Sequence, residues 1–414
     1  MLILLSLFFA VQVFGATEEE LRSKIDDRNA QIKKLEEEIK QYNLEVENAS
    51  KQKATLQSTI KTLDLTQKKI NTDINLTQNK IQKTQLTIQQ LQNEISLSEQ
   101  QISTNKKAIG NLIKNVHMND NQSIIEMALS SKDISDIWKD LDAVQSIQKE
   151  IRNKTEDLKV LTGELAVKQD KTVSQKNELV DLKKDLTGKQ LAVVETKKEQ
   201  STLLTQTKNK EATFKTLVQQ KEDLKNQFEQ ELYQYESQLN ILIDKSSYPK
   251  PKRGILSWPL DTVRITQEFG KTVAAQKLYV SGSHNGVDFG ASIGTRVKTV
   301  LDGVVVGTGN TDAYKGCYSF GKWVMIKHPN GLSTIYAHLS VISVNQGQEL
   351  KTGDVVGYSG NTGYSTGPHL HLGLYATQGV RIEKYVNSRG CKEVVMPLAD
   401  IKAYLDPLQY LPEI

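Results

Sequence analysis

Five of the six histidines in this 414-residue chain lie in one C-terminal stretch, and four of them fall as His284-x-x-x-Asp288, then His338, then His369-x-His371. A catalytic zinc takes three protein ligands, mostly imidazole nitrogen and carboxylate oxygen, and keeps a further position for water. His284, Asp288 and one member of the His369/His371 pair fill that quota. Two imidazoles are then left over, which is what a metal-dependent hydrolase uses and more than a structural zinc site needs. Side chains two apart on a β-strand share a face, so His369 and His371 can enter one cavity, one as ligand and the other beside the metal. Gly363, Gly367, Pro368 and Gly373 frame a short extended run, Leu370-His371-Leu372, so a strand is the expected host. Either motif alone is a weak metal signal. Their conjunction in a Gly-rich, β-forming segment is what points to a metal site. His338, taken by itself, reads as a core or rim histidine. His328, in Lys327-His328-Pro329-Asn330-Gly331, is expected as a surface turn residue of a hairpin, and His117 is assigned no chemistry.

The string His284-Asn285-Gly286-Val287-Asp288 is followed in order by Gly294-Thr295-Arg296-Val297, Asp302-Gly303-Val304-Val305, Tyr336-Ala337-His338-Leu339 and Gly367-Pro368-His369-Leu370-His371. Together these resemble the lysostaphin-like (LytM) zinc endopeptidases of bacterial peptidoglycan. The resemblance implies Zn2+ held by His284, Asp288 and His371. It also implies His369 as general base and His338 as stabiliser of the developing oxyanion. The implied fold is a small antiparallel β-domain of the duplicated hybrid motif type. Arg296 and Lys298 depart from the family's usual residues, which bears on groove shape and substrate charge, not on the ligands. An insertion, Gly309 to Gly321, contains Cys317, and an extended tail, Val380 to Ile414, contains Cys391.

The elements that must position this site come in two compositions. All eight prolines lie at Pro249 or later and 21 of the 25 glycines at Gly254 or later, so the earlier chain is built from helix formers. Ile74, Ile81, Ile88, Ile95, Ile102 and Ile109 recur every seven residues, with Leu63, Ile70 and Leu91 on a companion seam and Ile25, Ile32, Ile39 and Val46 before them. A second array runs Val144, Ile151, Leu158, Leu165, Thr172, Leu179, Leu186 and Val193. These periods predict two coiled-coil arms, residues 16–110 and 148–245. Polar seam entries at Thr77, Thr84, Lys154, Lys168 and Gln175 favour pairing between arms or with a partner. Residues 111–147 lose the heptad, gain turn signals and hold Trp138, so a helical cap is expected there, either as a partner-binding face or as a packed tip. A linker, 246–254, with Lys250-Pro251-Lys252-Arg253, reads as a hinge. Residues 255–414 form the peptidase-like domain, giving a multidomain chain of all-α coiled coil with cap followed by antiparallel β.

Arm, cap, arm, linker and LytM-like domain together resemble cell-division murein hydrolases and hydrolase activators. That likeness implies a membrane partner of the FtsEX type at the cap. Leu2 to Phe14 is apolar but too short to span a bilayer, and residues 1–15 are expected as a signal peptide cleaved after Gly15, although a basic start is missing. Two cysteines in an exported chain are expected to pair, Cys317 with Cys391. The 53 basic and 49 acidic residues leave a net charge of +4, spread along the helices, with no warrant for nucleic-acid binding. Three readings follow: an active zinc endopeptidase of the wall, a non-catalytic activator of a wall amidase, and a periplasmic adaptor that binds wall peptide. The long arms further suggest that one helical element occludes the groove around His284 and His338.

Overall fold

The computed structural model describes residues 18–50, 55–119, 134–239, 241, 243–365, 367–385, 388 and 391–414. The expected leader 1–15 lies outside the described residues, as does 120–133 in the middle of the expected cap. Contacts divide the chain into two units, residues up to 32 with 78–183, and residues 33–77 with 184–414.

Four long helices precede the sheet: α1 (Glu18–Ser50), α2 (Leu56–Asn119), α3 (Ile134–Thr207) and α4 (Glu211–Gln238). None of the described helices is long and apolar enough to cross a membrane. In the first unit the heptad residues Ile88, Leu91, Ile102 and Thr172 are buried, and Ile81, Ile95, Ile151, Leu158, Leu165 and Leu179 are half-buried. Val160, Val167, Val173 and Val180, which are off the repeat, are exposed. The polar seam entry Lys168 is satisfied across helices, its Nζ lying 3.2 Å from Ser98 Oγ and 3.8 Å from Glu94. The second arm is not one helix, contrary to its reading as a single span to residue 245. It stops at Thr207, where Lys208 and Asn209 take positive φ, 49° and 55°, and α4 starts at Glu211.

The second unit is built on an antiparallel sheet. Its main path runs β1 (Ile265–Gln267), β2 (Val287–Gly290), β9 (His369–Ala376), β6 (Leu332–Ile342), β5 (Lys322–Lys327), β4 (Gly303–Asn310) and β7 (Glu349–Leu350). β8 (Val355–Ser359) joins β6 to β3 (Arg296–Lys298), and β12 (Tyr404–Leu405) adds to β9. The central strands are buried on both faces, and alternation sorts their side chains between two cores. Leu332, Tyr336 and Leu339 of β6 and Leu370, Leu372 and Leu374 of β9 enter one core with Phe289 and Leu256. Ile335, Ala337 and Tyr375 enter the other.

That second core is closed by the parts of the chain additional to the motif segments. The tail folds as a hairpin, β10 (Val380–Tyr385) with β11 (Val394–Ala399), and Cys317 of the insertion is disulfide-bonded to Cys391. Phe228 of α4 completes it beside Phe320, Trp323 and Tyr385. A third, smaller core packs Ile70 of α2 and Ala192 and Val193 of α3 against Ile293, Val341 and Tyr358. Gly188 of α3 is required there, since a Cβ at that position would lie 1.9 Å from the Tyr358 ring. Arg296 and Lys298, the two family departures, are spent on this side: Arg296 lies 3.7 Å from Asp185 and 3.6 Å from Asp261, and Lys298 lies 2.6 Å from Asp261.

The 246–254 segment is fastened down where a hinge is expected. Tyr410 donates to the Pro249 carbonyl at 3.0 Å, Gly254 N donates to Leu411 O, and Tyr248 packs on the first core.

The disulfide closes a sequence separation of 74 residues, which the chain-entropy argument values at roughly 2–5 kcal/mol. Cys317→Ser or Cys391→Ser is therefore expected to lower the unfolding free energy of the β-domain by that order, read as a lower denaturant midpoint at unchanged slope. An unchanged midpoint would mean the insertion and tail hold without the bond.

Candidate active site

Strand pairing brings the sequence-predicted residues together. β2 runs antiparallel to β9 with Asp288 opposite His371 and Gly290 opposite His369, and Ala337 of β6 lies opposite His371 on the other side. His284 precedes β2 and is fixed by reciprocal backbone bonds with Gly270. His338 sits inside β6 at a positive φ of 59°, a sparsely populated conformation for which Asn, Asp and His are the usual non-Gly residues, and its N–H bonds to Phe320 O. Gly286 leaves room for the His371 ring, which a Cβ would approach to 2.6 Å.

Three donor atoms converge. His284 Nε2 lies 3.2 Å from His371 Nδ1 and 3.3 Å from Asp288 Oδ1, and His371 Nδ1 lies 2.9 Å from the same oxygen. All three residues are buried. His284 Nδ1 donates to Glu268 O at 3.1 Å, so its Nε2 lone pair faces the cluster. His371 turns Nδ1 inward, and its Nε2 is buried without a hydrogen-bond partner. Ligands about 2.0–2.1 Å from a tetrahedral zinc stand roughly 3.3 Å apart. The two spacings from His284 match that edge and the His371–Asp288 spacing of 2.9 Å is shorter, and the donor types and their convergence fit the ion.

Electrostatics agree with the geometry. Burial pushes the Asp288 carboxyl up, but hydrogen bonds from His284 and His371 and their charge outweigh it and hold the carboxyl well below the usual range. Burial lowers His371, and burial with repulsion from His369 and His371 drives His338 well below an ordinary imidazole.

The two spare imidazoles flank the cluster with ring centroids 4.7 Å apart. Each is anchored through Nδ1 to a carbonyl, His338 to Thr362 at 2.8 Å and His369 to Gly367 at 2.8 Å. His369 Nε2 lies 3.6 Å from Asp288 Oδ2. Both therefore present an Nε2 lone pair toward the cluster. A cavity of about 280 Å³ opens over these residues, and α4 supplies part of its wall through Lys225, Phe228 and Glu229.

One sequence expectation is overturned. His328 is 1% exposed, not a surface residue, with Nδ1 2.9 Å from Asp302 O and Nε2 2.8 Å from Thr334 Oγ1. The turn lies where Asn330-Gly331 predicts it, but the residue before Pro329 points into the sheet edge, where two polar partners await its ring. Sequence reasoning also missed Tyr279, whose ring stacks on His284 at 5.2 Å and 6°. It sits just after a six-residue helix, α5 (Val273–Leu278), that carries no motif.

Residues 282–384 match peptidase family M23. The DD-carboxypeptidase/endopeptidase Mpg of Neisseria meningitidis serogroup B is 42% identical over 120 residues, 29% of this chain and 26% of the relative. The peptidoglycan DD-endopeptidase ShyA of Vibrio cholerae is 43% identical over 124 residues, 30% of this chain and 27% of the relative. The chain thus spans about a quarter of the length of these relatives. Among solved structures, the catalytic domain of lysostaphin from Staphylococcus simulans is similar at 28% identity and a TM-score of 0.26, covering 35% of this chain and 90% of that one. Over residues 282–384 the chain thus matches peptidase family M23.

Proposed function

We propose that the chain is a zinc-dependent endopeptidase that cuts peptide bonds of peptidoglycan outside the cell membrane, with α4 keeping its groove closed until it is displaced. The convergence of three buried donor atoms at tetrahedral-edge spacing, beside two carbonyl-anchored imidazoles, carries the reading. A complete donor set of this kind counts against a non-catalytic activator. The peptide substrate comes from the relatives' names, which include a peptidoglycan DD-endopeptidase and a glycyl-glycine endopeptidase.

His284 Nε2, Asp288 Oδ1 and His371 Nδ1 would hold the ion, which when bound supplies Lewis acidity toward the scissile carbonyl and acidifies water. His369 Nε2, with its other nitrogen committed to Gly367 O, accepts the proton that water loses on attack and returns it to the leaving amine. His338 Nε2 is an acceptor while the ring is neutral and donates to the carbonyl oxygen only once it has gained a proton.

Closure by α4 rests on packing around the same cavity. Lys225 and Phe228 are each 3% exposed, Glu229 accepts from Val280 N at 3.1 Å, and Glu236 accepts from Ala399 N and from Tyr404 OH. Burying one Phe contributes roughly 1.5–3 kcal/mol. A helix held by a few such contacts can be displaced by a binding partner, at the cap or elsewhere.

His284→Ala, Asp288→Ala and His371→Ala are expected to lose both zinc, measured by metal content, and wall-digesting activity. His338→Ala and His369→Ala should keep the metal and lose about 10²-fold or more in rate. Zinc loss in His369→Ala with retention in His371→Ala would exchange the two roles.

Phe228→Asp in the full chain is expected to raise the rate of wall digestion about tenfold or more at equal zinc occupancy. An unchanged rate would leave α4 a structural strut.

Docking of α4 should also depend on pH. Burial pushes Glu236 up to about 7 from an ordinary 4.5, against the bonds from Ala399 and Tyr404, with Asp400 adding repulsion. The other groups facing it, Tyr375, Tyr385 and Tyr404, are phenols held neutral by burial. The docked helix binds the proton more tightly than a free one, so docking is strongest below pH 4.5 and weakens as pH rises through 7. Hydrogen-exchange protection of α4 should fall across that window, and Glu236→Gln should flatten the dependence. A slope that survives Glu236→Gln would assign the effect to another group.

A further inference from the structure

Lys225 is an unusual residue to bury against a groove. It is 3% exposed, and its Nζ donates to the Leu278 carbonyl, pairs with Glu229 at 3.1 Å, and lies 5.1 Å from the Tyr279 ring centroid and 4.8 Å from that of Tyr364. Its neighbours along α4, Phe228 and Leu232, dock through apolar contacts. If packing alone were needed, an aliphatic side chain at 225 would serve without the cost of desolvating an ammonium.

Glu229 belongs to α4 and leaves with it. What stays on the peptidase domain is a slot made of two tyrosine faces and one backbone carbonyl, all of which attract a cation and repel a carboxylate. The slot's walls adjoin the chemistry. Tyr279 stacks on His284, and Tyr364 precedes Ser365, whose Oγ lies 3.1 Å from His369 Nδ1. A cation seated there lies beside the bond to be cut.

We infer that this slot is a subsite for a protonated primary amine of the peptide substrate, and that Lys225 fills it in the closed chain as an internal stand-in. The inference rests on the endopeptidase reading for the nature of the substrate. Stem peptides built on a diamino acid offer such an amine wherever it is not acylated in a cross-link, whereas most other polar groups of the peptide are carboxylates and amides. Tyr279 and Tyr364 would then select substrate by charge, and the closed chain would compete with substrate for its own subsite. Glu229 strengthens the internal ligand, because the i, i+4 pair supplies the carboxylate that the slot lacks.

The test measures binding by calorimetry to metal-free full-length Phe228→Asp, so that chemistry plays no part. The probes are the peptide Ala–γ-D-Glu–Lys–D-Ala with its side-chain amine free and the same peptide with that amine acetylated. The free amine is expected to bind about tenfold more tightly, the scale of a desolvated cation–π contact, and Tyr364→Leu added to this chain should remove the difference. Leu232→Asp, one turn along α4, is run in parallel so that a folding defect at position 228 does not decide the result. Equal affinities, binding of neither peptide, or a difference that survives Tyr364→Leu would overturn the slot. The zinc-loaded form of the same chain is then tried on walls: amine preference without hydrolysis would sink the endopeptidase reading and leave the cation site standing.

Discussion

The antiparallel register of β2 on β9 is the constraint on which the site depends. It sets Asp288 opposite His371 and fixes which face His369 and His371 share. A slip of one residue would turn both imidazoles into the core that now holds Leu370, Leu372 and Leu374, and those leucines into the cavity. The register is therefore held by hydrophobic burial, and the donor cluster inherits its geometry from it. Backbone carbonyls finish the job. Glu268, Thr362 and Gly367 each take one Nδ1 proton and so decide which nitrogen of His284, His338 and His369 faces inward.

The face of the sheet that carries the histidines also needs a cover, and the chain supplies it from remote segments. The insertion and the tail are clipped together by Cys317–Cys391, and the apolar floor they complete is where Phe228 of α4 sits. The groove's lower wall and the socket for the helix are thus one surface. Anything that loosens the floor also loosens the helix. On the other side of the domain, Gly188 lets Tyr358 approach α3, and Asp185 draws in Arg296, so a second helical contact is fixed by shape and charge.

Much of this was legible in the sequence, for identifiable reasons. Metal ligands demand particular residue types at short spacings, so His284, Asp288, His369 and His371 stood out, and the strand period placed the last two on one face. Exclusion of Pro and Gly announced the helices, and an even cysteine count announced the disulfide. What stayed hidden depends on contacts distant in sequence. Lys225 and Glu229 carry no signal in the sequence, because nothing local reports that Leu278, Tyr279 and Tyr364 will close around the ammonium. His328 looked like a turn residue because its partners, Asp302 O and Thr334, come from other strands or faces. The break at Lys208-Asn209 was overlooked because neither residue is a strong helix breaker, and only the positive φ values reveal it.

The zinc centre proposed here, two histidines and one aspartate set by strand register with room for water, has a direct spectroscopic signature. Zinc-edge X-ray absorption on the full chain loaded with one equivalent of the metal tests it most directly. A four- or five-coordinate shell of nitrogen and oxygen at about 2.0–2.1 Å is expected, with the outer-shell scattering of two imidazoles. A sulfur-containing shell, a six-oxygen shell or a single imidazole would contradict it.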